Sequence, residues 1–269
     1  MKRRTGNIPY YLAVAWLVFC ATVALVSPWA FRNVAIDMSV PEALVGPSRS
    51  HWFGTDCLGR DLFARVVVGS TVSLGVSTCA VALALLLGTW LGAWAAYHGG
   101  WRERSVLAAV DLFLCFPAFF FLLAVMAVVG PGVWNLVWVL AATSWMSVAR
   151  LVRAEVLTLK EREFVLASKA FGASDTWVLW KHLLPNALAP VRVSAVLGVS
   201  SAILLEAGLS FLGIGIQPPM TSWGNLLMEG KATLGAAWWL MFFPGCAIFL
   251  TVFSLNTLGD HLSHARHSS

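Results

Sequence analysis

The hydrophobic positions of this chain come in long unbroken runs, not in the alternation of a strand or the narrow stripe of a soluble helix. A helix needs about 20 apolar residues to cross a bilayer core of ~30 Å. Six runs are predicted to do so: 10–31, 66 or 72 to 97, 105–129, 133–149, 190–216 and 236–258. Gly130-Pro131-Gly132 forms a tight turn between the third and fourth, and Gln217-Pro218-Pro219 stops the fifth. The first run follows Lys2, Arg3 and Arg4 as a signal peptide would. It is longer than a signal-peptide core and no A-x-A-like site follows it, so an uncleaved span is expected.

Composition agrees. The 269 residues are 59% hydrophobic and 12% charged, with a mean hydropathy of +0.78, against roughly 25% charged residues in a soluble domain. The pattern predicts an all-α integral membrane protein with no room for a separate soluble domain. The net charge of +5 does not point to nucleic acid, because the basic residues are spread between the apolar runs. If the N-terminus is cytoplasmic, twelve of the 18 lysines and arginines fall on the inner side, in 1–9, 98–104, 150–189 and 259–269. Arg32, Arg49, Arg60, Arg65 and Lys231 fall outside, and Arg192 sits at the start of a span. Basic residues gather on the cytoplasmic side, so both termini are expected there. The five cysteines include no C-x-x-C pair and lie mostly within apolar runs, as small buried hydrophobes.

One stretch departs from the apolar pattern: EREFVLASKAFGASDTWVLWKHLLPN, residues 161–186. Phe164, Ala167 and Phe171 make an apolar stripe on a first short helix. Gly172 follows where a C-cap favours positive φ, and Ser174 or Asp175 can cap a second helix. Trp177, Trp180 and Leu184 share one face of it, and Pro185 is expected to end it. Two such helices predict a cytoplasmic knob, suited to the membrane surface or to a groove on a soluble partner.

Glu163, Ala167 and Gly172, followed after nine residues by His182-x-Leu184-Pro185, resemble the EAA loop of bacterial ATP-binding-cassette importer permeases. Leu166 stands where the motif usually has Glu, and Ser168 where it has its second Ala. HWFGTDCLGRDLFARVVVGSTVSL (51–74), LLEAGLSFLGIGIQPPMTSWGNLL (204–227) and Asp111-x5-Pro117 resemble segments of the dipeptide/oligopeptide/nickel branch, specifically its C-type permease subunit. The resemblance covers nearly the whole chain.

It implies a six-span type I importer permease (MetI-like) fold in the bacterial cytoplasmic membrane. A first span and outer segment (1–65) would precede a permease domain (66–269) that contains the loop 161–185. Glu163, Ala167, Ser168, Gly172, Asp175, His182, Leu184 and Pro185 would then couple to an ATPase. The implied partners are a homologous second permease, two ATPase subunits that bind ATP and Mg, and an extracytoplasmic binding protein. No cofactor is expected in this chain.

Within the spans, Asp111 has two possible roles: a structural pair with Arg150 or Arg153, or a part in the gate. Glu206 is placed either at the outer mouth of the pathway or against a neighbouring helix end. Pro117 belongs to the same candidate set, and Gly208, Gly213 and Gly215 favour close helix packing. Outside, Asp56, Gly59, Arg60 and Asp61 suggest either a local Asp56–Arg60 salt bridge or contact with a docked binding protein. His261, His264 and His267 have a spacing that can bind metal, but no cysteine or carboxylate cluster supports them, so no metal site is assigned.

The chain has no G-x-x-x-x-G-K-[ST] phosphate loop, so it is not expected to hydrolyse ATP itself. Neither G-x-S-x-G nor H-E-x-x-H occurs, which argues against a membrane enzyme. An ion-coupled secondary transporter would need several intramembrane charges, and only Asp111 and Glu206 qualify. For cargo, the expectation is short peptides, with a nickel chelate as the alternative. No histidine lies within the six predicted spans to pass a bare metal ion.

Overall fold

The computed structural model describes residues 8–267, with the backbone alone for Arg32 and residues 264–267. Lys2, Arg3 and Arg4 lie outside the described residues, as do the side chains of His264, Arg266 and His267. The described chain is almost wholly helical. Eleven α-helices follow in order: α1 (Ile8–Ala30), α2 (Arg32–Ile36), α3 (Leu62–His98), α4 (Gly100–Leu114), α5 (Ala118–Val129), α6 (Val133–Lys160), α7 (Glu163–Ala170), α8 (Asp175–Val178), α9 (Leu184–Phe211), α10 (Trp223–Lys231) and α11 (Trp239–His267).

Five helical runs are long and apolar enough to cross a membrane: α1, α3, α6, the run Asp175–Phe211 that joins α8 to α9, and Trp239–Ser263 within α11. The expected third span is not one helix. It is α4 and α5, bent by 87° at the break between them. Pro117 explains the break, since it has no N–H to donate and disfavours helix in the residue before it. It stands instead as the N-cap of α5.

The centre of the bundle is α3 packed against α6. A Cβ added at Gly88 would lie 2.5 Å from the Trp145 carbonyl, and one at Gly92 2.4 Å from the Ala149 carbonyl. Buried Ala84 and Ala96 extend this small-residue stripe at four-residue spacing, as close packing in lipid requires. The 37 residues of α3 reach ~55 Å at 1.5 Å each, so the helix extends beyond the hydrocarbon layer.

Around this pair lie three apolar clusters. The first joins α3 and α6 to α7, α8 and α9 through Tyr97, Val152, Val165, Val178 and Ala187. The middle one packs Leu122 and Met126 of α5 on Leu136 and Leu140 of α6. The third sets Trp223 and Leu226 of α10 among α3, α9 and α11.

The second knob helix does not end at Pro185. A π-helical turn, Leu179–Leu183, carries it straight into α9, with the Leu184 N–H reaching back to the Leu179 carbonyl. Pro185 then falls just after the π turn, in the first residues of α9, where it has no N–H to return to the preceding turn. The widened turn absorbs the proline.

Candidate functional site

The knob is built by local chemistry. At the end of α7, Gly172 takes φ +85°, the Gly172 N–H donates to the Lys169 carbonyl (2.9 Å) and the Ala173 N–H to the Ser168 carbonyl (3.1 Å). These bonds form a Schellman cap. The Ser174 hydroxyl accepts from the Trp177 N–H at 3.4 Å and caps α8. Each helix puts one side chain fully inside, Val165 from α7 and Val178 from α8.

The aromatic stripe seen in the sequence faces outward. Phe171 is 92% exposed, and Phe164, Leu166, Trp177 and Trp180 are exposed too. His182 stands beside Trp177 and Phe164, with ring centroids 4.7 and 5.8 Å away. Its Nε2 lies 3.3 Å from the Ser168 hydroxyl, which donates to the Phe164 carbonyl at 2.8 Å. Ser168 thus links the two halves of the knob. Glu163 and Asp175 sit in the first turns of α7 and α8, where a carboxylate suits the helix dipole. Ala167 is exposed, while Leu184 and Pro185 open the span above the π turn.

Tyr97, at the C-terminal end of α3, was not singled out in the sequence, yet it ties the knob to the bundle. Its hydroxyl donates to the Asp175 carboxylate, and Lys169 lies 3.5 Å from the same carboxylate. Lys160 of α6 donates to the Tyr97 carbonyl at 2.8 Å. Lys160 and Lys169 both lie over the Tyr97 ring, at 5.3 and 5.0 Å. Hydrogen bonding to Tyr97, aided by Asp175, holds the Lys169 ammonium above its ordinary pKa. No local pattern marks this latch, because Tyr97 and Asp175 are 78 residues apart.

Asp111 pairs with Arg150, and both side chains are exposed. Arg153 pairs instead with Glu103 at 2.6 Å. Glu206 is fully buried and accepts from the Ser73 (3.0 Å) and Ser210 (2.8 Å) hydroxyls. Those hydroxyls in turn accept from the backbone N–H groups of Trp223 (3.1 Å) and Ile216 (3.0 Å). Glu206 therefore fastens α3, α9 and the chain leading into α10 from a fully buried position. A Cβ at Gly208 would lie 3.1 Å from the Phe119 ring of α5, so this glycine sets the approach of α9 to the broken span.

In the segment that leads into α3, the Asp56–Arg60 bridge (2.6 Å) is part of a larger network. Asp56 also accepts from Arg65 at 2.6 Å, and Glu229 of α10 pairs with both arginines. Arg65 and Glu229, 164 residues apart, were not paired by sequence reasoning. Among the described residues no group of three or more His, Cys, Asp or Glu side chains is placed to hold a metal.

Five helices long and apolar enough to cross a membrane, a bent pair α4–α5 that meets the same condition only together, and a helical knob with exposed aromatic side chains define a multi-pass membrane component. The sequence profile of the binding-protein-dependent transport system inner membrane component family matches residues 84–267, and the chain belongs to that family. Membership makes it a permease component and not itself the ATPase. It is 38% identical to the dipeptide transport system permease protein DppC of Alkalihalophilus pseudofirmus over 94% of this chain and 84% of that one. It is 44% identical to a putative peptide permease protein of Brucella suis over 81% and 73% of the two chains. It is 39% identical to the glutathione transport system permease protein GsiD of Pectobacterium atrosepticum over 95% and 86%. The fold is MetI-like: a chain of the inward-facing MetNI methionine ABC transporter superposes with a TM-score of 0.61 at 19% identity, over 75% of this chain and 95% of that one.

Proposed function

We propose that this chain is one of two homologous permease subunits of an ATP-driven importer that takes up short peptides across the bacterial cytoplasmic membrane. The observation that carries this reading is the knob, whose exposed Phe171, Leu166, Trp177 and Trp180 stand on helices anchored from beneath by Val165, Val178 and Tyr97. An aromatic patch of this kind fits a cleft on a soluble subunit.

Two ATPase subunits bind ATP and Mg beneath the permeases, and one of them receives the knob through residues 161–185. When the ATPases close, the knob is displaced. Because α8 runs through the π turn into α9, that displacement passes into the span Asp175–Phe211 as one continuous helix. The Tyr97–Asp175 bond passes it to α3 as well. The bundle rocks and the pathway between the two permeases changes the side on which it opens. An extracytoplasmic binding protein delivers the cargo, and both termini of the chain are cytoplasmic. The dipeptide, peptide and glutathione transporters among the relatives favour a peptide over a nickel chelate.

The test is uptake by a strain lacking this chain. Loss of growth on a dipeptide as the sole source of a required amino acid, restored by the cloned chain, is expected. Unchanged peptide use alongside lost nickel accumulation would reject the peptide assignment.

A further inference from the structure

We propose that the exposed Asp111–Arg150 pair, beside the break between α4 and α5, lines the translocation pathway and binds the two charged ends of a zwitterionic peptide. The inference rests on the peptide-permease reading and adds the place and chemistry of substrate contact.

Depth comes first. The 12 residues of α5 span ~18 Å, too short for a hydrocarbon layer of ~30 Å. The helix packs along the outer half of α6 through Leu122 and Met126 on Leu136 and Leu140. Its inner end, the break at residues 115–117, therefore lies at membrane depth. Arg150 follows Val133, the first residue of α6, by ~26 Å along the helix axis, which brings the pair to the inner edge of the same layer.

Neither feature tolerates lipid. Interrupted backbone at membrane depth survives only against protein or water, and so does an ion pair. Yet residues 111–118 are exposed without interruption in this subunit, with Asp111 60% and Arg150 48% exposed at the side chain. The pair is also unsaturated. The bond between them uses one nitrogen of Arg150 and one oxygen of Asp111, and neither side chain has another hydrogen-bond partner among the described residues. A guanidinium has five donors and a carboxylate about four acceptor sites, so capacity of both signs is left facing outward.

A short peptide near neutral pH carries an ammonium at one end and a carboxylate at the other. Asp111 matches the first, and Arg150 offers the second a charge-assisted, planar donor set. These groups are common to every unmodified peptide whatever its side chains. Exposed Leu112, Phe113 and Phe116 beside the pair offer side chains an apolar surface.

Cys115 is exposed at the break and serves as the reporter. The assembled complex, with Cys115 as its one reactive cysteine, is placed in inverted vesicles and treated with a charged, water-soluble methanethiosulfonate. Labelling in the nucleotide-free state is expected, with protection by a free dipeptide. Protection is expected to be about tenfold weaker for the N-acetylated or the C-amidated dipeptide, the loss of one charge-assisted contact. Asp111→Asn is expected to keep the labelling and to abolish the distinction between free and N-acetylated peptide; Arg150→Gln does the same for the amidated one.

No labelling in any nucleotide state would place the face against lipid or the partner permease and overturn the inference. Equal protection by all three peptides, or none, would overturn it too. Should a variant fail to assemble, the three peptides on the unmutated pair still decide. Absence of peptide uptake by the wild-type complex overturns the peptide reading and this inference with it, whereas uptake with an unprotected Cys115 overturns this inference alone.

Discussion

Replacing Gly172 separates two explanations of the knob, because its backbone and its surroundings make opposite demands. The residue holds φ +85°, and a Cβ built there meets nothing within 4 Å. Space is therefore not limiting and backbone conformation is. An L-residue in this region costs about 1–2 kcal/mol, least for asparagine and most for a β-branched side chain. At about 1.4 kcal/mol per tenfold, Gly172→Ala shifts the balance between the native Schellman turn and opened alternatives by roughly five- to thirty-fold. The turn fixes the direction in which α8 leaves α7, and with it the placing of Phe171 and Leu166 relative to Trp177. Peptide-stimulated ATP hydrolysis by the reconstituted complex is expected to fall in the order Gly172→Asn, Gly172→Ala, Gly172→Val, mildest first. Amounts of the chain in the membrane should stay unchanged, since Gly172 is exposed and outside the crossing helices. An order that follows size, with alanine milder than asparagine, would refute the conformational argument. Full coupling in the valine variant would sink the role of the knob altogether.

Asp56→Ala removes the acceptor of four hydrogen bonds, from the backbone N–H groups of Leu58 and Arg60 and from the side chains of Arg60 and Arg65. With Arg65 only 2% exposed, the loss is expected to cost about 3–5 kcal/mol, seen as a lowered unfolding temperature of the purified complex; an unchanged temperature would mean that Glu229 alone satisfies both arginines. For topology, a reporter fused after Lys169 should read cytoplasmic and one after Trp223 extracytoplasmic, and the reverse pattern would overturn the orientation derived from the basic residues.

The features legible in the sequence are those set by neighbours along the chain. Runs of apolar residues specify spans because hydrophobic transfer depends on composition within a window. Gly172 was legible because a C-cap is decided by a few adjacent residues. The same window is blind to direction. Residues 105–129 sum to one span by hydropathy, yet Pro117 turns them through 87°, because a missing N–H and a ring clash act on geometry without lowering hydrophobicity. In the same way Pro185 looked like a stop. Only the packing of Val178, Leu183 and Ala187 into one cluster shows why the chain widens into a π turn and continues. The polar contacts that fasten the fold were the least legible: Arg65 with Glu229, Ser73 with Glu206, Tyr97 with Asp175. Each joins distant parts of the chain, and a charge or hydroxyl is satisfied by whichever partner the fold brings within about 3 Å. That choice belongs to tertiary structure. Local sequence sets which groups need a partner, and the packing of α3 on α6 and α9 decides which partner they find.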